Sequence, residues 1–142
     1  MNILITGGAG FIGFHVAKAL LERGDEVTIV DNFNDYYDVK LKEARIKELG
    51  KYDNLDVIKA DISDYDAMND IFKKHKFNKI CHLAAQAGVR YSIENPLAYE
   101  KSNILGTLVM LEMAKKYNIK DFVFASSSSV YGNNKKTPIF RR

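Results

Sequence analysis

Three glycines stand at regular intervals in Gly7-Gly8-Ala9-Gly10-Phe11-Ile12-Gly13, directly after the apolar run Ile3-Leu4-Ile5 and before a stretch of helical periodicity. The chemistry such a segment suits is the binding of a pyrophosphate, which needs backbone N–H groups and a helix N-terminus aimed at it with no side chain in the way. Gly7 is expected to allow the tight turn, Gly10 the approach of the pyrophosphate, and Gly13 the contact of helix against strand. The G-x-x-G-x-x-G spacing is one residue longer in its first interval than the general dinucleotide fingerprint, so the turn takes its meaning from a second residue downstream. That residue is Asp31, which closes the next apolar run where a carboxylate accepts hydrogen bonds from the adenosine ribose hydroxyls and repels a 2′-phosphate. Together these residues predict a nicotinamide dinucleotide, NAD in preference to NADP. The plain alternative is a tight strand-to-helix turn with no ligand, Asp31 merely ending a strand.

The elements that must position these residues are legible in the hydropathy pattern. Short β-branched runs alternate with longer helical ones, which predicts successive βαβ units and a parallel sheet covered on both faces. Strands are expected at Asn2 to Thr6, Glu26 to Asp31, Leu55 to Lys59, Lys79 to Leu83 and Asp121 to Ser126. Helices are expected near Gly10 to Arg23, Tyr37 to Leu49, Tyr65 to Lys76 and Pro96 to Tyr117. Asn95 would cap the last helix, with Pro96 at its first position, and Gly24 and Gly50 would close the first two.

With 142 residues, 46% of them hydrophobic and 27% charged, the chain suffices for one domain spanning 1–142. No apolar stretch is long enough for a membrane span, and no secretory leader precedes the first strand, so a cytoplasmic location without membrane partners is expected. The net charge of +3 is mild. Its densest cluster, Lys73-Lys74-His75-Lys76, falls where a helix should end and favour cations, which argues against a nucleic-acid partner. Cys81 sits in an apolar run and reads as a small buried hydrophobe, and no Cys/His spacing suggests a metal site.

Segments from one end of the chain to the other resemble the extended short-chain dehydrogenase/reductases, and within them the nucleotide-sugar 4-epimerases. They are Thr6 to Gly13, Asp31-Asn32, Asp61-Ile62, His82-Leu83-Ala84-Ala85-Gln86, Asn103-Ile104-Leu105-Gly106-Thr107 and Ser126 to Gly132. The runs Asp31 to Asp38 and Ala85 to Ser92 look most like the UDP-glucuronate 4-epimerases. The resemblance implies a Rossmann-type α/β fold with strand order 3-2-1-4-5, NAD as cofactor and a UDP-sugar as substrate, and it allows a homodimer. Phe11, Ile12 and Asn32 join the glycines and Asp31 as implied cofactor contacts. Asp61 and Ile62 would flank the adenine, although a carboxylate ending a strand is ordinary in its own right. Leu83, Ala84 and Ala85 would lie along the dinucleotide, and Asn103 would help hold the active-site loop. Ser127 is the implied catalytic hydroxyl at the sugar's C4 oxygen, with Ser128, Ser129 and Arg90 as implied substrate contacts, the arginine facing a uronate carboxylate.

The same resemblance requires a Tyr-x-x-x-Lys pair on a helix after the fifth strand, and neither formal match fits. Tyr36 to Lys40 lies beside Asp31, and Tyr131 to Lys135 spans Gly132-Asn133-Asn134, a turn sequence. Pro138 to Arg142 also drifts from the family pattern. The expectation is therefore a truncated enzyme, inactive alone, lacking the C-terminal substrate domain and prone to self-association at an unpaired fifth strand. A 4,6-dehydratase fragment is the first alternative, though it should carry Thr-Asp-Glu in place of the serine run. A non-catalytic NAD-binding module is the second.

Overall fold

The computed structural model describes residues 1–133. Lys135 and Pro138 to Arg142, on which part of the expectations rested, lie outside the described residues. Along the chain come β1 (Asn2–Thr6), α1 (Phe11–Glu22), β2 (Glu26–Asp31), α2 (Val39–Leu49), β3 (Leu55–Lys59), α3 (Tyr65–Lys74) and β4 (Lys79–His82). Next come α4 (Val89–Glu94), α5 (Pro96–Tyr99), a π-helical segment (Glu100–Leu105), α6 (Gly106–Lys116), β5 (Asp121–Phe124) and a 3₁₀ turn (Ser128–Tyr131). All strand pairs are parallel, and the sheet order is β3-β2-β1-β4-β5, as expected. No helix among the described residues is long and apolar enough to cross a membrane.

Alternation along the central strands builds two cores, one on each face of the sheet. Ile3 and Ile5 of β1, with Val27 and Ile29 of β2, pack against Phe14, Ala17 and Leu21 of α1 and Leu49 of α2. Leu4, Val30 and Ile80 face the other way, against Met68, Ile71 and Phe72 of α3 and Val109, Met110 and Met113 of α6. Cys81 is half-buried beside the first of these cores, and burial pushes its thiol above the ordinary value.

Several boundaries differ from expectation for local reasons. β4 ends at His82, because Leu83 turns into the loop whose amides bond the Thr6 hydroxyl, and β5 ends two residues early, before the serine run leaves the sheet. The single helix expected from Pro96 is interrupted by the π segment, and α4 before it carried no periodic signal because none of its residues is buried. Asn95 does not cap: its side chain donates to the Tyr91 hydroxyl at 3.0 Å, leaving Pro96 alone as the helix-starting residue. Among the described residues β5 pairs only with β4, and Val123 and Phe124 are exposed.

The two helix-closing glycines differ in what they require. Gly24 has φ +88, a left-handed conformation, whereas Gly50 has φ −63, open to any residue. Gly24→Ala should therefore cost about 1 kcal/mol in urea denaturation, and Gly50→Ala should change stability by less than about 0.5 kcal/mol.

Candidate cofactor site

The sheet order reverses between β1 and β4, so the loops leaving these neighbours diverge and open a crevice beyond their carboxyl ends. Gly7 lies at that point with φ +71, and a Cβ there would sit 2.8 Å from the backbone N and Cα of Ala84. The Thr6 hydroxyl closes the gap by accepting the N–H groups of Leu83 at 3.2 Å and Ala84 at 3.1 Å. With both acceptor positions used, its own proton points to Nδ1 of His82 at 2.7 Å, so the imidazole carries its proton on Nε2 and donates to the Thr107 hydroxyl at 3.1 Å. A second proton on His82 would leave Thr6 facing a donor with nothing to accept it. Burial adds to this and pushes the imidazole down to about 4.

Past Gly7 the turn presents backbone only. A Cβ on Gly13 would overlap the Gly7 carbonyl oxygen and lie 2.7 Å from Gly8 Cα, and one on Gly8 would press into Ile29 at 2.6 Å. Gly13 thus seats α1 on the turn itself. Gly10 is the N-terminal boundary of α1, and the first bonded amide of that helix is Phe14 N–H to Gly10 O at 3.0 Å. The preceding first-turn amides, with no acidic side chain among them, form the positive end of the helix dipole. This is a cradle for an anion, shaped by the absence of Cβ atoms, and it fits a dinucleotide pyrophosphate.

A cleft of about 200 Å³ runs from this turn toward β3. It brings together Gly7, Gly10, Asp31, Asn32, Asp61, Ile62, Leu83, Ala84 and Ala85. Asp31 is held by the N–H of Ala9 at 3.1 Å on Oδ2 and of Phe33 at 2.9 Å on Oδ1. Asp61 accepts the Ser63 N–H at 3.0 Å and pairs with Lys101 at 2.9 Å. Burial pushes the Asp61 carboxyl up, but those bonds outweigh it and hold the group below its ordinary value. Ile62 turns its side chain into the core against Gly106, so it offers the cleft its backbone.

Other expected residues stand apart from the cleft. Phe11 and Ile12 are exposed on the first turn of α1, Phe11 lying edge-on to His15. Asn103, in the π segment, brackets the Gln86 peptide, accepting its N–H at 2.7 Å and donating to its carbonyl at 3.0 Å. Arg90 is exposed on α4, and Ser127, Ser128 and Ser129 are exposed beyond β5, with the Ser127 Oγ accepting the Ser129 N–H at 3.2 Å.

Sequence reasoning missed Thr6, His82, Asn34, Tyr36 and above all Lys42, a cleft-lining cation that is only 5% exposed. A buried lysine on a helix that is otherwise mostly polar leaves no mark in hydropathy. The hint lay in His82 and Gln86, which flank the small residues after β4 and whose buried polarity implies partners.

A family model described as GDP-mannose 4,6 dehydratase matches residues 4–141. The chain belongs to that family. Among similar proteins, UDP-glucuronate 4-epimerase 4 of Arabidopsis thaliana is 49% identical over 97% of this chain and 32% of its own length. UDP-glucuronate 4-epimerase of Thermodesulfobacterium geofontis is 48% identical over 90% of this chain and 40% of its own. The crystal structure of the Bacillus cereus UDP-glucuronic acid 4-epimerase, in complex with UDP-glucuronic acid and NAD, superposes with a TM-score of 0.85 at 34% identity, covering 96% of this chain and 43% of that one. The chain spans less than half the length of these relatives.

In this member of the GDP-mannose 4,6-dehydratase family, the His82 network yields a pH signature. Between about 6.5 and about 4 the unfolded chain binds a proton at His82 that the folded chain refuses, so stability falls as pH falls through that window and levels off below it. The full loss at this residue should be about 3 kcal/mol. Urea denaturation from pH 7 to 4 should show the slope, and a His82→Gln variant should lack it.

Proposed function

We propose that the chain is the NAD-binding portion, a single Rossmann domain over 1–142, of an enzyme resembling the UDP-glucuronate 4-epimerases. The observation that carries this reading is the junction of the Cβ-free anion cradle with Asp31 in one cleft at the point where the sheet order reverses. Gly7, Gly10 and Gly13, with the exposed first turn at Phe11 and Ile12, would receive the pyrophosphate. Asp31 and Asn32 would bind the adenosine ribose, and the backbone at Ile62 with the Asp61 carboxylate would bind the adenine edge. Leu83, Ala84 and Ala85 are small enough to let the dinucleotide run on along β4. Asn103 would act through Gln86 to keep that loop in place.

When bound, NAD supplies the hydride acceptor and donor through which a C4 centre is oxidised to a ketone and reduced on its other face. In that reaction Ser127 would bond the C4 oxygen, and Ser128, Ser129 and Arg90 would meet the sugar's hydroxyls and carboxylate. The proton at that oxygen needs a base, and among the described residues no Tyr-x-x-x-Lys pair shares a helical face. Tyr36 lines the cleft beside Asp31, outside any helix. Tyr131 ends a short 3₁₀ turn at Gly132, whose φ is +58, and Lys135 lies outside the described residues. We therefore infer that the 142-residue chain alone binds NAD without turning over a UDP-sugar. The family description favours a 4,6-dehydratase as the second reading, and Ser127-Ser128-Ser129, where that chemistry would call for an acid and a base, argues against it.

Calorimetry on the purified chain should detect NAD binding, and incubation with UDP-glucuronate and NAD should yield no UDP-galacturonate. Absence of NAD binding would sink the site; formation of the epimer would sink the inactivity. Asp31→Ala should weaken NAD by about tenfold or more, the worth of a charge-assisted hydrogen bond, and should narrow the preference over NADP.

A further inference from the structure

Among the described residues, Lys42 is the one cation of the cleft wall, and the NAD-binding reading gives it no role. Its side chain projects from α2 into the cleft wall and is almost wholly buried, a costly place for an ammonium. Burial lowers its pKa, with the Asp31 charge opposing that shift. An ammonium has three N–H donors. Two reach Asn34, on its carbonyl oxygen at 3.0 Å and its Oδ1 at 2.8 Å. The third meets no acceptor oxygen within hydrogen-bond reach among the described residues, the Asp31 Oδ1 standing at 3.9 Å, and the ammonium lies 4.9 Å from the centre of the Tyr37 ring. Asp31 is complementary. Each of its oxygens accepts one backbone N–H and keeps one acceptor position open. The neighbouring cation on α2, Arg45, is turned elsewhere, to the Ala9 carbonyl at 3.1 Å and the Tyr37 hydroxyl at 3.0 Å.

We propose that Lys42 is a specificity-determining residue of the cofactor site: with Asp31 it forms a donor–acceptor pair that reads the vicinal diol of the adenosine ribose. Each hydroxyl of a diol both donates and accepts, so a carboxylate alone satisfies half of its bonding and an adjacent ammonium supplies the rest. The same placement gives Lys42 a second property. Asp31 neutralises it; with the carboxylate removed, the ammonium is left uncompensated at the position a 2′-phosphate would occupy. The rejection of NADP then rests on Asp31, while Lys42 holds a latent phosphate site behind it.

The proposal rests on the NAD-binding reading, and calorimetry with NAD and NADP on four forms of the full chain separates the two. Those forms are the parent, Lys42→Met, Asp31→Ala and the double variant, each checked for folding by its melting transition. If the parent binds NAD, Lys42→Met should weaken NAD by about tenfold or more. Asp31→Ala should gain NADP affinity by about tenfold, and the double variant should lose that gain. A parent that binds no NAD would overturn the site itself. A parent that binds NAD, with Lys42→Met leaving NAD affinity unchanged or with the double variant binding NADP as tightly as Asp31→Ala, would overturn the role of Lys42 alone. Should Lys42→Met fail to melt cooperatively, Lys42→Gln replaces it, keeping a donor toward Asn34 while removing the charge. The same two outcomes then decide.

Discussion

The architecture of the site depends on one close approach, that of the Gly7 backbone to the Ala84 backbone. Two parallel strands can run side by side along their length without glycine; what requires it is the departure of their loops in opposite directions while still touching. Any side chain at Gly7 would force the β4 loop away and break both bonds to the Thr6 hydroxyl. His82 is then a necessity. It completes the hydroxyl's bonding from beneath and carries the order on to Thr107 at the start of α6, so the glycine turn, the β4 loop and the opposite-face helix share one chain of hydrogen bonds.

The two ends of the cleft deal with charge differently. At the turn the field comes from backbone dipoles, with no ionisable side chain in the first turn of α1. Toward β2 and β3 it comes from formal charges, Asp31 with Lys42 and Asp61 with Lys101. A dinucleotide presents the matching sequence of demands, an anion in the middle and a neutral, hydroxyl-rich sugar and base at one end. Paired charges there give orientation without net repulsion, which dipoles could not supply at the same range.

Much of this was readable in the sequence. The first three strands fell at Asn2–Thr6, Glu26–Asp31 and Leu55–Lys59 as their β-branched runs indicated. For β1 and β2 the reason is burial on both faces of the sheet; for β3, at its edge, it is that Leu55, Val57 and Ile58 still mark the strand beside exposed Asp56 and Lys59. The glycine turn and Asp31 were legible because each answers to a backbone or charge requirement that few residue types meet. What escaped was tertiary in origin. α4 buries none of its residues and so has no amphipathic period, and Asn95 was drawn from its capping role by a hydroxyl four residues back. Lys42 is buried by the loop that folds over it, a fact about Asn34 and Asp31 that no local pattern records. Phe11 and Ile12, implied cofactor contacts at the head of α1, are exposed there.

The π segment at Glu100–Leu105 has a consequence for how this region can vary. A helix of 3.6 residues per turn rotates by about 100° for each residue added, and a π turn absorbs one extra residue without breaking the helix. Asn103 lies inside that turn, gripping Gln86. Removing one residue here would restore regular backbone bonding and leave α5 in phase with α6, but it would erase the widened turn that holds Asn103 against the loop it grips. The irregular turn thus acts as a phase adjuster, and in this stretch the length of the chain is under tighter constraint than the identity of most of its residues.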